Sequence, residues 1–82
     1  MEKFQYTITD EIGIHARPAG ELAKLSKEFR SKITLKTDTK QADAEKLMAL
    51  GIRHGQTINV EIDGTDEKAA AEAVRKFFEA KL

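Results

Sequence analysis

One short stretch of the sequence combines residue types that could carry phosphoryl chemistry. His15 and Arg17 lie within residues 13–18, which read Gly-Ile-His-Ala-Arg-Pro and open a segment with helical periodicity. The first turn of a helix leaves backbone N–H groups without intrahelical partners, and the helix dipole adds partial positive charge there. Such an end binds phosphate readily, and its field should keep His15 neutral and nucleophilic. Arg17 adds a permanent cation whose forked donors suit phosphate oxygens.

The same residues have a plainer interpretation. A histidine at a helix start is more often a capping or surface residue than a nucleophile. Arg17 could equally be a solvated charge, and Pro18 a good first-turn residue whose missing N–H costs nothing. Residue types and spacing alone therefore leave both interpretations open.

Other kinds of chemistry find less support. The sequence contains no cysteine, which excludes a disulfide framework and a thiolate metal site. No carboxylate stands at ligand spacing beside His15 or His54, so we expect no metal site. The remaining carboxylates suggest no acid–base pair, and no glycine-rich nucleotide loop occurs. We therefore expect neither a metal nor a cofactor.

Length and charge narrow the class of protein. Eighty-two residues suffice for one core, so residues 1–82 are predicted to form a single domain whose chemistry is completed by a partner protein. Lys and Arg together number 14, as do Asp and Glu, and this zero net charge argues against nucleic-acid binding. Without a signal-peptide pattern or an apolar run of membrane-spanning length, we expect a cytoplasmic protein that does not insert into a membrane.

Hydrophobic periodicity predicts the element order β-α-β-β-α-β-α. Strands are predicted at 3–8, 32–37, roughly 40–43 and 57–63, and helices at about 16–29, at 44–50 and after a capping Asp66. The predicted buried faces are Phe4, Tyr6 and Ile8 in the first strand, Ala19, Leu22, Ala23, Ser26 and Phe29 in the first helix, and Ala70, Ala73, Val74, Phe77 and Leu82 in the last. Each strand has one apolar face that must be buried, and amphipathic helices can cover it. We therefore expect an α+β fold with helices on one side of an antiparallel sheet.

The stretch around His15 resembles the active-site motif of the histidine-containing phosphocarrier (HPr) family of the bacterial sugar phosphotransferase system. The resemblance covers residues 13–19 (Gly-Ile-His-Ala-Arg-Pro-Ala) and continues through 27–29, 50–52, Gly55 and 64–67 in the family's order. A bare His-x-Arg-Pro is a weak signal. The full motif, at this distance from the N-terminus in a chain of this size, is a strong one.

The resemblance implies both a fold and a function. The fold is an open-faced β-sandwich, with a four-stranded antiparallel sheet in the order 1-4-2-3 and three helices on one face. The function is phosphorylation of His15 on Nδ1 by phosphoenolpyruvate-charged enzyme I, followed by delivery to the IIA domains of sugar permeases. Arg17 matches the family's phosphate-site residue, and the backbone amides of Ala16 and Arg17 lie where the family contacts phosphate. The chain would then be a phosphoryl-transfer intermediate rather than a stand-alone catalyst.

A partner-docking surface is also expected. It comprises the exposed side of the first helix around Gly20, Lys24 and Lys27, together with Leu47 and Met48, and would face an acidic-rimmed hydrophobic surface on the partner. Plainer interpretations are available, because paired lysines usually form a solvated face and Leu47 and Met48 are more often core residues.

The region of the second helix departs from the family pattern. Some members carry a regulatory serine at the start of this helix, whereas Glu45, Lys46 and Leu47 occupy that place here, and no serine follows Ser31. Control by the regulatory serine kinase is therefore not expected. This region is also a few residues shorter than usual, which leaves the choice of partner open. Two alternatives to the carrier function also stay open. One is a regulatory binding module that uses His15 phosphorylation as a signal, and the other is a dimeric interaction protein.

Overall fold

A computed structural model describes residues 1–9 and 16–81 of the chain, with the side chains of residues 16 and 48–50 outside the description. The elements follow one another in the predicted order. The strands are β1 (Glu2–Thr7), β2 (Lys32–Lys36), β3 (Gln41–Asp43) and β4 (Thr57–Asp63). The α-helices are α1 (Ala16–Ser26) and α2 (Glu67–Lys81), and a 3-10 segment, Ala44–Leu50, joins β3 to β4.

The four strands form one antiparallel sheet in the order β1-β4-β2-β3. This is the order that the family resemblance implied, and it is confirmed. Val60 in the middle of β4 lies opposite Phe4 of β1 on one side and Leu35 of β2 on the other. Because side chains alternate along a strand, this register directs all three toward the same face. The helices cover that face, as expected from the apolar alternation.

The opposite face of the sheet is polar. Its side chains pair across neighbouring strands: Gln5 Nε2 donates to Asn59 Oδ1 at 2.7 Å, the hydroxyls of Thr7 and Thr57 lie 3.0 Å apart, and Lys36 Nζ lies 3.1 Å from Glu61 Oε2. Cross-strand pairs of this kind fix the register and contribute modestly to stability.

The core lies between the sheet and the helices. Among the described residues, the largest fully buried side chains are Ile8, Leu22, Leu35, Leu47, Ile58, Val60, Ile62, Val74 and Phe78. Phe78 forms an aromatic cluster with β1, since its ring centroid lies 5.4 Å from that of Tyr6 and 6.2 Å from that of Phe4. The apolar alternation of β1 predicted the face occupied by these two aromatic residues.

The buried stripe of α2 differs from the prediction at two places, since Ala71 is buried instead of Ala73, and Phe78 instead of Phe77. Phe78 is fully buried, whereas Phe77 is only half-buried. The observed stripe follows a spacing of four, from Ala70 through Val74 to Phe78, and this spacing points Phe78 at the aromatic side chains of β1. Leu82, which was predicted to extend the stripe, lies outside the described residues.

Helix α1 ends at Ser26 instead of the predicted Phe29. The next backbone hydrogen bonds run to the third preceding residue, from Glu28 N–H to Leu25 O at 3.0 Å and from Phe29 N–H to Ser26 O at 3.4 Å. Such bonds tighten the last turn and end the helix. Phe29 keeps its predicted contact with the core, but it makes that contact from the turn.

The middle helix forms, but as a kinked 3-10 segment instead of an α-helix. Lys46 has the non-helical angles φ −117° and ψ 32°. Ala44 and Leu47 lie on either side of this kink, and both are buried. The sequence pattern therefore identified the segment and its bounds, but not its type.

Asp66 lies directly before α2, where it was predicted to cap the helix. Its carboxylate instead binds the turn after α1. It accepts hydrogen bonds from the backbone N–H of Arg30, at 2.9 Å, and from the hydroxyl of Ser31. These bonds fasten the turn after α1 to the start of α2. Gly64 also lies close to Ser31. A Cβ placed on Gly64 would be only 2.5 Å from the Cα of Ser31. Glycine is therefore the residue that fits at position 64.

Candidate functional site

The predicted nucleophile, His15, lies outside the described residues, as do all of residues 10–15. Its role as the phosphorylated residue therefore stays a prediction. The chain on both sides of this segment is described. It comprises the start of α1 on one side and, on the other, the end of β1 with the turn that contacts it.

The start of α1 has the features of an anion-binding end. The helix begins at Ala16, and its first turn contains no acidic residue. Arg17 is exposed, whereas Pro18 and Ala19 are buried against the core. The backbone N–H groups of Ala16 and Arg17 precede the first intrahelical donor, so they are available to an acceptor in front of the helix. The phosphate contacts expected of Ala16 and Arg17 stay a prediction, because His15 lies outside the described residues.

The cationic character of this end is not neutralised within the described part of the chain. None of the four ion pairs found there involves Arg17. An exposed guanidinium that lacks a carboxylate partner is free to bind an incoming phosphate group.

A tight turn at residues 53–56 contacts Ile8, which lies just after β1. Ile8, which follows β1, donates its backbone N–H to Gln56 O and accepts from Gly55 N–H, both at 2.9 Å. The turn is closed by a hydrogen bond from Gln56 N–H to Arg53 O at 3.1 Å and by one from Arg53 N–H to Gln56 Oε1 at 2.7 Å. Gly55 has φ +86°, which favours glycine at that position. Sequence reasoning identified only a loop here, because the contact joins residues far apart in sequence.

The predicted docking residues divide into exposed and buried groups. Gly20, Lys24 and Lys27 are exposed, with Lys27 in the turn after α1 instead of in the helix. Leu47 is only 1% exposed and belongs to the core. A docking contact through the Leu47 side chain is therefore a wrong prediction, because the 3-10 segment turns this residue inward beside Ala44. The side chain of Met48 lies outside the description.

The described residues provide neither a metal site nor a membrane-spanning helix. Across residues 1–9 and 16–81, no group of three potential metal ligands comes together. In the same part of the chain, no helix has the length and apolar character that crossing a membrane requires.

Comparison with known proteins places the chain in a family. The family model for the phosphorylation site of the HPr component of the phosphotransferase system matches residues 2–80. The phosphocarrier protein HPr of Mycoplasma genitalium is 41% identical over 83 residues, which cover 96% of this chain and 94% of that protein.

Solved structures agree with the family match. A histidine-containing phosphocarrier protein of Mycoplasma superposes with a TM-score of 0.89 at 38% identity, covering 93% of this chain and 90% of that one. HPr from Thermoanaerobacter tengcongensis superposes with a TM-score of 0.91 at 30% identity, covering 99% and 94%. The chain therefore belongs to the HPr family of phosphocarriers of the phosphotransferase system, and the resemblance seen in its sequence is confirmed.

Proposed function

We propose that this protein accepts a phosphoryl group on Nδ1 of His15 from phosphoenolpyruvate-charged enzyme I and passes it to the IIA domains of sugar permeases. One observation carries the proposal. In a member of the HPr family, the residue directly after His15 begins a helix whose first turn presents an exposed Arg17 and no carboxylate. This arrangement suits a group that gains negative charge when it is phosphorylated.

The transfer needs a neutral imidazole at His15. The lone pair of Nδ1 attacks the phosphorus atom, and a P–N bond forms while the bond from phosphorus to enzyme I breaks, its electron pair returning to the donor. The same displacement at the phosphorus of phosphorylated His15 then delivers the group to the IIA domain. Because transferred phosphoryl groups need mainly positioning and electrostatic stabilisation, a small surface site can serve both steps.

Arg17 and the backbone amides of Ala16 and Arg17 stabilise the phosphorylated state in this proposal. Charge-assisted hydrogen bonds from a guanidinium to phosphate oxygens are stronger than neutral ones. The exposed Gly20, Lys24 and Lys27 would then lie against the acidic rim of each partner. The function also implies a cytoplasmic location, where enzyme I would charge the protein.

A reconstituted relay tests the proposal. Enzyme I, labelled phosphoenolpyruvate and a IIA domain are mixed with a small amount of the protein, and the label on each component is followed with time. A carrier moves many equivalents of label to the IIA domain, whereas a regulatory module retains one equivalent. Absence of label on the protein itself would contradict the phosphocarrier proposal.

We also propose that the regulatory serine kinase does not act on this protein. Glu45 and Lys46 are exposed at the start of the 3-10 segment, where a hydroxyl would be needed, and no serine follows Ser31 in the sequence. Ser31 itself is only 8% exposed and donates its hydroxyl hydrogen to Asp66. Incubation with the kinase and ATP, followed by mass spectrometry, should find no phosphate near residues 44–50. A stoichiometric phosphate on any nearby Ser or Thr would overturn this expectation.

A further inference from the structure

Helices α1 and α2 leave a groove between them on the side that points away from the sheet. The groove has a volume of about 470 Å³, and its lining residues are Glu21, Lys24, Leu25, Glu28, Phe77 and Lys81. We propose that this groove is a contact surface for a second copy of the chain, so that two copies associate reversibly through their helices. The inference does not depend on the proposed phosphocarrier function.

The two helices run antiparallel along the groove. Asp66, directly before α2, is bonded to the turn that follows α1. At the other end, Lys81 Nζ lies 3.9 Å from Glu21 Oε2. One helical turn away from this ion pair, Leu25 of α1 and Phe77 of α2 line the groove from opposite sides. The groove therefore has a charged end and an apolar centre.

The apolar centre is not fully covered by the fold. Leu25 and Phe77 pack against the core, but both remain half-buried. The ring centroid of Phe77 lies 6.1 Å from that of the fully buried Phe78. Removing the remaining apolar surface of Leu25 and Phe77 from water stabilises a complex. The centre of the groove is therefore the part that gains most from an occupant.

The charges along the groove favour a second copy as that occupant. Among the described residues, α1 and the turn after it contribute two carboxylates and one ammonium group to the lining, whereas the charged side chain from α2 is that of Lys81. The two sides thus carry opposite net charge. A two-fold axis parallel to the helices exchanges the sides, so that α1 of each copy packs on α2 of the other. Glu21 then faces Lys81 of the other copy and Leu25 faces its Phe77, which makes the contact self-complementary.

The size of the helical surface sets the strength of the association. Helix α1 has 11 residues and α2 has 15, so their lengths are about 16 and 22 Å. Two adjacent helices, each about 10 Å wide, present roughly 300–400 Å². This area is smaller than the ~800 Å² per partner of a standard stable interface. We therefore expect a transient dimer with a dissociation constant of roughly 0.1–1 mM.

Sedimentation equilibrium up to about 2 mM protein measures the association, and amide chemical shifts at the same concentrations locate it. The shifts that change with concentration should lie in residues 21–28 and 77–81. Glu21→Lys and Lys81→Glu each place like charges across the contact. Each variant should raise the dissociation constant roughly five- to twentyfold.

A mixture of the two variants shows whether these charges meet between copies. One variant carries cations at both positions and the other carries carboxylates at both, so an equimolar mixture should return the dissociation constant close to the wild-type value. Restored contacts within one chain cannot produce this result. The matched control is Lys76→Glu, which makes the same charge reversal on a part of α2 that does not line the groove.

Three results would overturn the inference. A wild type that stays monomeric at about 2 mM would leave the groove to a different partner. Equal association of the wild type and both single variants would place the contact elsewhere. A mixture that associates no better than either variant alone would show that the two charges do not meet across copies. Labelling by enzyme I is measured separately, so each of these results leaves the phosphocarrier function intact.

Discussion

The carboxylate of Asp66 accepts a hydrogen bond from the hydroxyl of Ser31, 35 residues earlier in the chain. The backbone N–H of Arg30 binds the same carboxylate at 2.9 Å. Together with the close approach of Gly64 to Ser31, these bonds fasten the end of α1 to the start of α2. Because α1 carries Arg17 at its opposite end, this contact helps to orient the helix on which the proposed phosphate site depends.

The first prediction concerns the pH dependence of stability. The Ser31 hydroxyl, and after it the Arg30 amide, hold the pKa of the Asp66 carboxyl below its usual range. A carboxyl whose pKa is lower in the folded state stabilises the fold above its unfolded-state pKa, and this contribution is lost as pH falls through the folded-state pKa. Asp66→Asn should therefore unfold more easily than the wild type at pH 7, and the difference should shrink below about pH 4.

Urea unfolding at a series of pH values measures this difference. Glu79→Gln is a suitable control, because it removes an exposed carboxylate of α2 that forms no ion pair within the described part of the chain. A stability difference between wild type and Asp66→Asn that stays constant from pH 7 to pH 2 would contradict the role of this carboxylate.

The second prediction separates core residues from surface residues in the expected docking region. Leu47→Ala should lower the free energy of unfolding by about 2–5 kcal/mol, because it leaves a cavity beside Ala44 in the core. Lys24→Ala and Lys27→Ala should change it by less than about 0.5 kcal/mol, while raising KM for enzyme I. Chemical denaturation and phosphorylation kinetics on the three variants provide the comparison. Wild-type stability of Leu47→Ala would show that this residue is not part of the core.

The third prediction concerns Arg17. Arg17→Ala should keep the wild-type stability, because the side chain is exposed and pairs with no carboxylate of the described residues. It should slow phosphotransfer by roughly 10- to 100-fold, since it removes charge-assisted hydrogen bonds to the phosphoryl group. Rapid-quench measurements of transfer from enzyme I give the rate. Unchanged kinetics would show that the backbone amides of the helix end suffice.

The sheet and its covering helices could be predicted from sequence because their signals are local and repeated. The alternation in β1 predicted which of its side chains face the core, and Pro18 marked the first turn of α1. The sheet order came from the family resemblance, because periodicity does not report which strands are neighbours. Arg17 was identified from the short motif around His15; it is exposed in the first turn of α1, and its role stays a prediction.

The structure differs from the sequence predictions where tertiary contacts determine which side chain is buried or hydrogen-bonded. Phe77 and Phe78 are adjacent and equally apolar, so the choice between them depends on where the aromatic residues of β1 lie. Leu47 is buried directly after the kink at Lys46, and a regular helical pattern does not predict a kink. The partners of Asp66 lie in a turn distant in sequence, and no local pattern could identify them.

The most direct test of the account locates the phosphoryl group after incubation with enzyme I and phosphoenolpyruvate. The peptide that carries it is identified by mass spectrometry in the wild type, in His15→Ala and in His54→Ala, which removes the other histidine. We expect an acid-labile phosphoryl group on His15 in the wild type and in His54→Ala, and none in His15→Ala. Phosphorylation that persists in His15→Ala, or a wild type that stays unmodified, would contradict the account.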